Sequence, residues 1–218
     1  MATDHVYNLI ILDESGSMST IKESTISGFN EIVQTIKGIE KQYPEQKHFI
    51  SLVTFNGLGI KTKLDKKPVS ELIQIDKATY NPDSLTPLYD AICLSVLKLR
   101  MDIAGVANSN VLVTILTDGE ENNSKEFSGS QVKKIVDEQK ACGWTFTYIG
   151  ANHDVEKVAA SISISNTMNF VSNDASVHQM FMKENESRVR FSKRIHEKED
   201  PREDFYNEKA EDETSNTV

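Results

Sequence analysis

Cysteine is scarce. The 218 residues contain two, Cys93 and Cys142, each alone in an apolar helical context and neither in a C-x-x-C or other metal-binding spacing. A thiolate metal centre is therefore excluded, and both are expected to be small buried hydrophobes. Long apolar runs are missing as well. None approaches the ~20 residues of a membrane span, and Met1-Ala2-Thr3-Asp4-His5 lacks the basic stretch and apolar core of a secretion signal. The expectation is a cytoplasmic protein with no membrane partner. Positive charge is in deficit, with 24 Lys and Arg against 33 Asp and Glu, a net charge of −9. Because binding to a phosphate backbone depends on Lys and Arg displacing counterions, nucleic acid is not an expected partner. There is no G-x-S-x-G nucleophile elbow and no G-x-x-x-x-G-K-[ST] loop, which removes an α/β-hydrolase site and a P-loop nucleotide site. The five histidines, His5, His48, His153, His178 and His196, have no evident serine partner and read as surface or cap residues.

What is present is one core's worth of apolar residues, 38% of the chain, against 26% charged. That composition suits a single globular domain with an appendage. Strand-like and helix-like runs alternate from residue 5 to about 180, the pattern of a mostly parallel sheet covered by helices on both faces. Two buried strands stand out, Val6–Leu12 and Val111–Thr117, both nearly continuous in apolar character and each followed by an aspartate. Further strands are expected at His48–Phe55, Ile60–Leu64, Thr145–Ile149 and Thr167–Val171. The second of these lies across the turn Asn56-Gly57-Leu58-Gly59 and should form an antiparallel edge. Helices are expected over Thr20–Gln42, Ser70–Ile75, Pro87–Arg100, 131–142 and Asp154–Ala160, with another starting near Ala175. The fold class is therefore α/β, a Rossmann-like six-stranded sheet with one antiparallel edge.

The composition shifts near Lys183, giving a domain over residues 5–182 and a charged extension over 183–218, helical at first and then disordered. In that extension 8 Lys and Arg are mixed with 11 Asp and Glu. Its basic residues Lys183, Arg188, Arg190, Lys193 and Arg194 read as a solvated helix face. Trp144 reads as core packing, and Asp154 in Asn152-His153-Asp154 as a helix N-cap.

In an open α/β sheet, ligands bind outside the carboxyl ends of the strands. Asp13 and Asp118 both stand there. Asp13 opens the run Asp13-Glu14-Ser15-Gly16-Ser17, in which one carboxylate and two hydroxyls alternate around a turn that Gly16 permits. Thr86 sits at the entrance to a helix in Leu85-Thr86-Pro87-Leu88-Tyr89-Asp90. Two carboxylates and three hydroxyls are hard oxygen donors, the chemistry of Mg²⁺, with Mn²⁺ as its substitute and zinc disfavoured for want of sulfur and histidine. Two aspartates at most neutralise such an ion, which then retains affinity for another anionic oxygen.

The D-x-S-x-S run at Asp13, Ser15 and Ser17, the threonine of Thr86-Pro87-Leu88-Tyr89-Asp90-Ala91 and the aspartate of Leu116-Thr117-Asp118-Gly119 resemble the von Willebrand factor type A (vWA) domain and its metal-ion-dependent adhesion site. The flavour is that of bacterial vWA proteins associated with tellurite and toxic-anion resistance. The resemblance covers residues 5–180 and implies that Ser15, Ser17 and Thr86 hold the metal by their hydroxyls. Asp13 and Asp118 would then act directly or through water, with an Asp or Glu of a protein partner completing the shell. Glu14 is expected to point away from that site, and Glu120 and Glu121 add negative charge on the other loop. The expected function is metal-dependent protein binding without catalysis. The alternatives are a metal-dependent hydrolase such as a phosphatase, and a scaffold whose metal site is silent.

Overall fold

The computed structural model describes residues 3–71, 74–202 and 204–206. Its strands are β1 (Asp4–Asp13), β2 (Gln46–Asn56), β3 (Gly59–Pro68), β4 (Ser109–Thr117), β5 (Thr145–Gly150) and β6 (Asn166–Asn169). Its helices are α1 (Lys22–Gln42), α2 (Leu88–Asp102), α3 (Gly129–Ala141), α4 (Val155–Ser161) and α5 (Asp174–Glu197). They form one sheet in the order β3-β2-β1-β4-β5-β6. Every pairing is parallel except that of β2 with the edge strand β3.

The alternation of strand side chains decides the layers. Val6, Ile10 and Leu12 of β1 and Leu112 and Leu116 of β4 share a core with α1 and α5. Tyr7, Leu9 and Ile11, with Val111, Val113 and Ile115, share the other core with α2, α3 and α4. Strands covered on both faces must be apolar nearly throughout, which is why β1 and β4 read as continuous runs. On the first face α1 and α5 approach so closely that a Cβ on Gly28 would lie 1.9 Å from the Phe181 ring.

The chain leaves β1 for β2 on one side and later enters β4 on the other, so the winding reverses between β1 and β4. Their carboxyl ends sit side by side, with Leu12 level with Leu116, and loops from both must splay apart there.

Four expectations change. His48, expected as a surface or cap residue, is buried in β2, because it takes one of the strand positions covered by the helical layer. The helix expected over Ser70–Ile75 is realised as a single 3₁₀ turn, Val69–Glu71, with Leu72 and Ile73 outside the described residues. Cys93 is buried, but Cys142 caps α3 and is exposed, because the helix ends there before its side chain can reach the core. The basic run after Lys183 is not a uniformly solvated face. α5 continues through it to Glu197, and Glu184, Ser187, Arg188, Phe191, Ser192 and Ile195 are all buried.

Arg188 lies over the polar positions of the sheet. Its Nη1 donates to Asn8 Oδ1 at 2.9 Å, and its Nη2 donates to Thr114 Oγ1 at 2.7 Å and pairs with Glu184 Oε1 at 2.8 Å. Tyr206 OH donates to Glu184 Oε2 at 2.7 Å. Beyond α5 the chain returns along β6, where Phe205 N donates to Asn166 Oδ1 at 3.1 Å, and Phe205 and Tyr206 join the core. The acidic segment after Tyr206 lies outside the described residues.

Candidate metal centre

The five oxygen-bearing residues come from three loops at the carboxyl edge of the sheet. Asp13, the last residue of β1, is fully buried. Its Oδ1 accepts from Ser15 N at 2.7 Å, its Oδ2 from Thr117 Oγ1 at 2.6 Å, and its carbonyl from Tyr80 OH at 2.6 Å. The turn that follows brings Ser15 Oγ to within 3.2 Å of Ser17 Oγ. Ser17 Oγ in turn donates to Asp118 Oδ1 at 2.5 Å, across more than a hundred residues of sequence.

Thr86 closes the group. A Cβ added to Gly119 would lie 3.7 Å from Thr86 Oγ1 and 4.0 Å from Ser17 Oγ, so both hydroxyls face the bare backbone of Gly119. The backbone of Thr86 is held on both sides, its N donating to Asn122 Oδ1 at 2.9 Å and its carbonyl accepting from Asn122 N at 3.1 Å.

Several residues that sequence reasoning passed over set this geometry. The Asp90 carboxylate accepts from the backbone N–H groups of Lys125, Glu126 and Phe127, pinning the loop after Asp118 to the start of α2. Glu121 does the same through Ser124 N and Tyr89 N, so its charge is committed to backbone donors rather than to the cluster. Glu120 is exposed beside it. Glu14 points away from the hydroxyls but is buried, not solvated. Its Oε1 accepts from Asn81 N at 2.6 Å and lies 3.7 Å from Lys63 Nζ. Asn152 Nδ2 donates to the Asp118 carbonyl at 3.1 Å, while Asp154 caps α4 by accepting from Lys157 N. The signal for Thr117 and Asp90 was present, since both lie inside the motifs that carry Asp118 and Thr86. That for Tyr80 and Asn122 was not, because loop residues gain such partners only in three dimensions.

Electrostatically the cluster is short of positive charge. Burial pushes the Asp13 carboxyl up to about 6 against its hydrogen bonds to Thr117 and Ser15, and the neighbouring Asp118 charge adds to the rise. Burial likewise raises Asp118. Asp118 Oδ2 is buried and has no hydrogen-bond partner. An orphaned buried carboxylate oxygen costs about 1–3 kcal/mol or more unless something satisfies it, and a cation would. The donor set therefore fits a hard divalent ion. Among the described residues no three His, Cys, Asp or Glu side chains converge so as to hold a metal, so an ion here must draw on the hydroxyls of Ser15, Ser17 and Thr86.

No family model and no curated protein matches the chain. Among solved structures it is similar to a von Willebrand factor type A protein from Catenulispora acidiphila, with a TM-score of 0.55 and 16% identity over 87% of this chain and 43% of that one. It is also similar to the vWF domain of the type V pili tip protein Mfa5 from Porphyromonas gingivalis, with a TM-score of 0.55 and 11% identity over 85% of this chain and 96% of that one. A third neighbour is the SpRpn10 VWA domain, with a TM-score of 0.52 and 10% identity over 81% and 93%. The chain spans less than half of the first of these and nearly all of the other two. Likeness at such identities speaks to the fold, and the chain has the von Willebrand factor type A fold. No helix among the described residues is long and apolar enough to cross a membrane.

Proposed function

We propose that this chain is a cytoplasmic protein-binding module whose contact is made through a divalent cation, Mg²⁺ or Mn²⁺, at a metal-ion-dependent adhesion site. The observation that carries this reading is the unpartnered, buried Asp118 Oδ2 beside three converging hydroxyls at the switch point of the sheet. Ser15, Ser17 and Thr86 would hold the ion by their hydroxyl oxygens, with Asp13 and Asp118 supplying charge. The ion contributes Lewis acidity and unspent positive charge, which attract a carboxylate from the partner. Ser17 donates its hydroxyl hydrogen to Asp118 Oδ1, accepts from Ser15 Oγ and has a lone pair left to offer an ion. Asp13 holds the turn through Ser15 N. His153, the histidine on the neighbouring loop, is spent on Ala151 O and the Tyr148 hydroxyl rather than on a cluster hydroxyl, and this favours binding over catalysis.

The loops beside the cluster suit a protein surface. Leu85, next to Thr86, is 51% exposed, and Leu58, in the β2–β3 turn, is 68% exposed. Gly57 brings that turn against Ser84 and Leu85, where a Cβ would lie 2.9 Å from Leu85 N. Affinity capture from the source cell in Mg²⁺, in chelator and with Asp118→Asn as bait tests the reading. Partners retained in Mg²⁺ and lost in both other conditions are expected, and the same set in all three would overturn it.

A further inference from the structure

Three loops meet beside the candidate metal centre, and hydrogen bonds lock them to one another. Asp83 N donates to the Glu14 carbonyl at 2.8 Å, and Gly16 N donates to the Ser84 carbonyl at 3.0 Å. Asn56 Nδ2 donates to the same Glu14 carbonyl at 3.3 Å, while Asn56 Oδ1 accepts from Leu58 N at 3.0 Å and fixes the tip of the β2–β3 turn. Gly57 in that turn sits so close to the loop before Thr86 that a Cβ on it would lie 3.2 Å from Leu85 Cβ. Ser84 has a φ of 69°, a left-handed conformation that a non-glycine residue keeps only where its surroundings hold it there.

The locked loops end in two exposed leucines, Leu58 and Leu85. Exposed leucines scattered singly are ordinary on a protein surface, but these two stand on adjoining loop tips whose backbone is fixed. A partner that covers them has little backbone left to order. Leu85 directly precedes Thr86, so their Cα atoms are about 3.8 Å apart and the apolar pair borders the hydroxyl cluster. The remaining rim is acidic, with Asp83 exposed on the leucine side and Glu120 exposed on the loop after Asp118.

We infer that the partner segment recognised at this edge carries its Asp or Glu within two residues of a large apolar side chain, Leu, Ile, Met or Phe, with no second acid beside it. This rests on the metal-mediated contact proposed above and adds the residues that select among acidic segments. An extended segment advances about 3.3 Å per residue, so a side chain one or two positions from a carboxylate at the cluster comes level with Leu85 and Leu58. Covering the leucines takes apolar surface out of water, and the exposed Asp83 and Glu120 repel a further carboxylate.

A phage-displayed library of random linear peptides, panned on the full chain in Mg²⁺ and eluted with chelator, tests this. The eluted clones should carry one Asp or Glu with a large apolar residue within two positions. Replacing that apolar residue by glycine in a synthetic peptide should weaken binding to wild type by about tenfold. The same replacement should weaken binding to Leu58→Ser/Leu85→Ser by about twofold or less, since the two effects are coupled. Acidic clones without apolar neighbours, or equal weakening in both proteins, overturn the inference and leave the metal-mediated contact standing. An absence of acidic clones released by chelator overturns both.

Discussion

Asp118 concentrates the chemistry of the cluster in one side chain. One carboxylate oxygen is taken by the Ser17 hydroxyl and the other is buried with nothing to bind. A side chain arranged in this way costs the fold stability by itself, and under the proposed function a bound cation would offset that cost. Asp118→Asn keeps the shape and removes the charge. In chelator the variant is expected to unfold at a urea midpoint no lower than that of wild type, while the rise in midpoint that Mg²⁺ gives the wild type disappears. A large loss of stability in chelator would instead make Asp118 a structural residue. Among the residues next to the cluster, Glu14 takes a structural part. Glu14 points away from the hydroxyls as expected, yet inward rather than to solvent, onto Asn81 N, where it straps the loop preceding Thr86 to the end of β1.

Among the elements, α5 differs most from its reading in sequence. Its charged residues at spacings of three and four look like the solvated side of a surface helix. The complementary signal lay elsewhere in the chain, in single polar residues interrupting apolar strands. Asn8 and Thr114 stand among hydrophobic neighbours on the same face of β1 and β4, and they meet Arg188. Pairing Arg188 with them needs the strand order, which local pattern does not contain. The strands themselves, their terminal aspartates and the order of the three motifs were legible, because burial on both faces and the chemistry of the strand ends write directly into local sequence. Breaking one partner of a buried pair leaves an uncompensated charge, so Arg188→Met should lower stability by about 3–5 kcal/mol. Glu184→Gln combined with Arg188→Met should restore much of that loss in urea unfolding. Equal stability of the single and double variants would mean that the pair does not hold α5 to the sheet.

Across the whole molecule, acid stability should carry the mark of His48. This ring is buried beneath α5, its Nε2 is 3.2 Å from Gln46 Oε1, and its Nδ1 has no partner. Burial, aided by the Arg188 charge, pushes its pKa down to about 3 from an ordinary 6.5. The unfolded chain therefore takes up the proton first as pH falls. Stability from the neutral ring is complete above about pH 6.5 and is lost progressively between there and about pH 3. Between about pH 7.5 and about pH 4.5 the loss from this one group is on the order of 2–3 kcal/mol. His48→Gln should flatten the acid limb of urea midpoints by that amount, and an unchanged limb would show that the ring is protonated in the fold.

The fold brings two carboxylates and three hydroxyls from separate loops to one edge, and the central claim is that they hold a divalent cation able to recruit a carboxylate. Titration of Mn²⁺ followed by electron paramagnetic resonance, on wild type and Asp118→Asn with retained folding checked by circular dichroism, tests this most directly. One saturable site per chain, competed by Mg²⁺ and weakened by at least about tenfold in the variant, is the predicted result. No saturable binding by the wild type, or equal binding by both proteins, would contradict it.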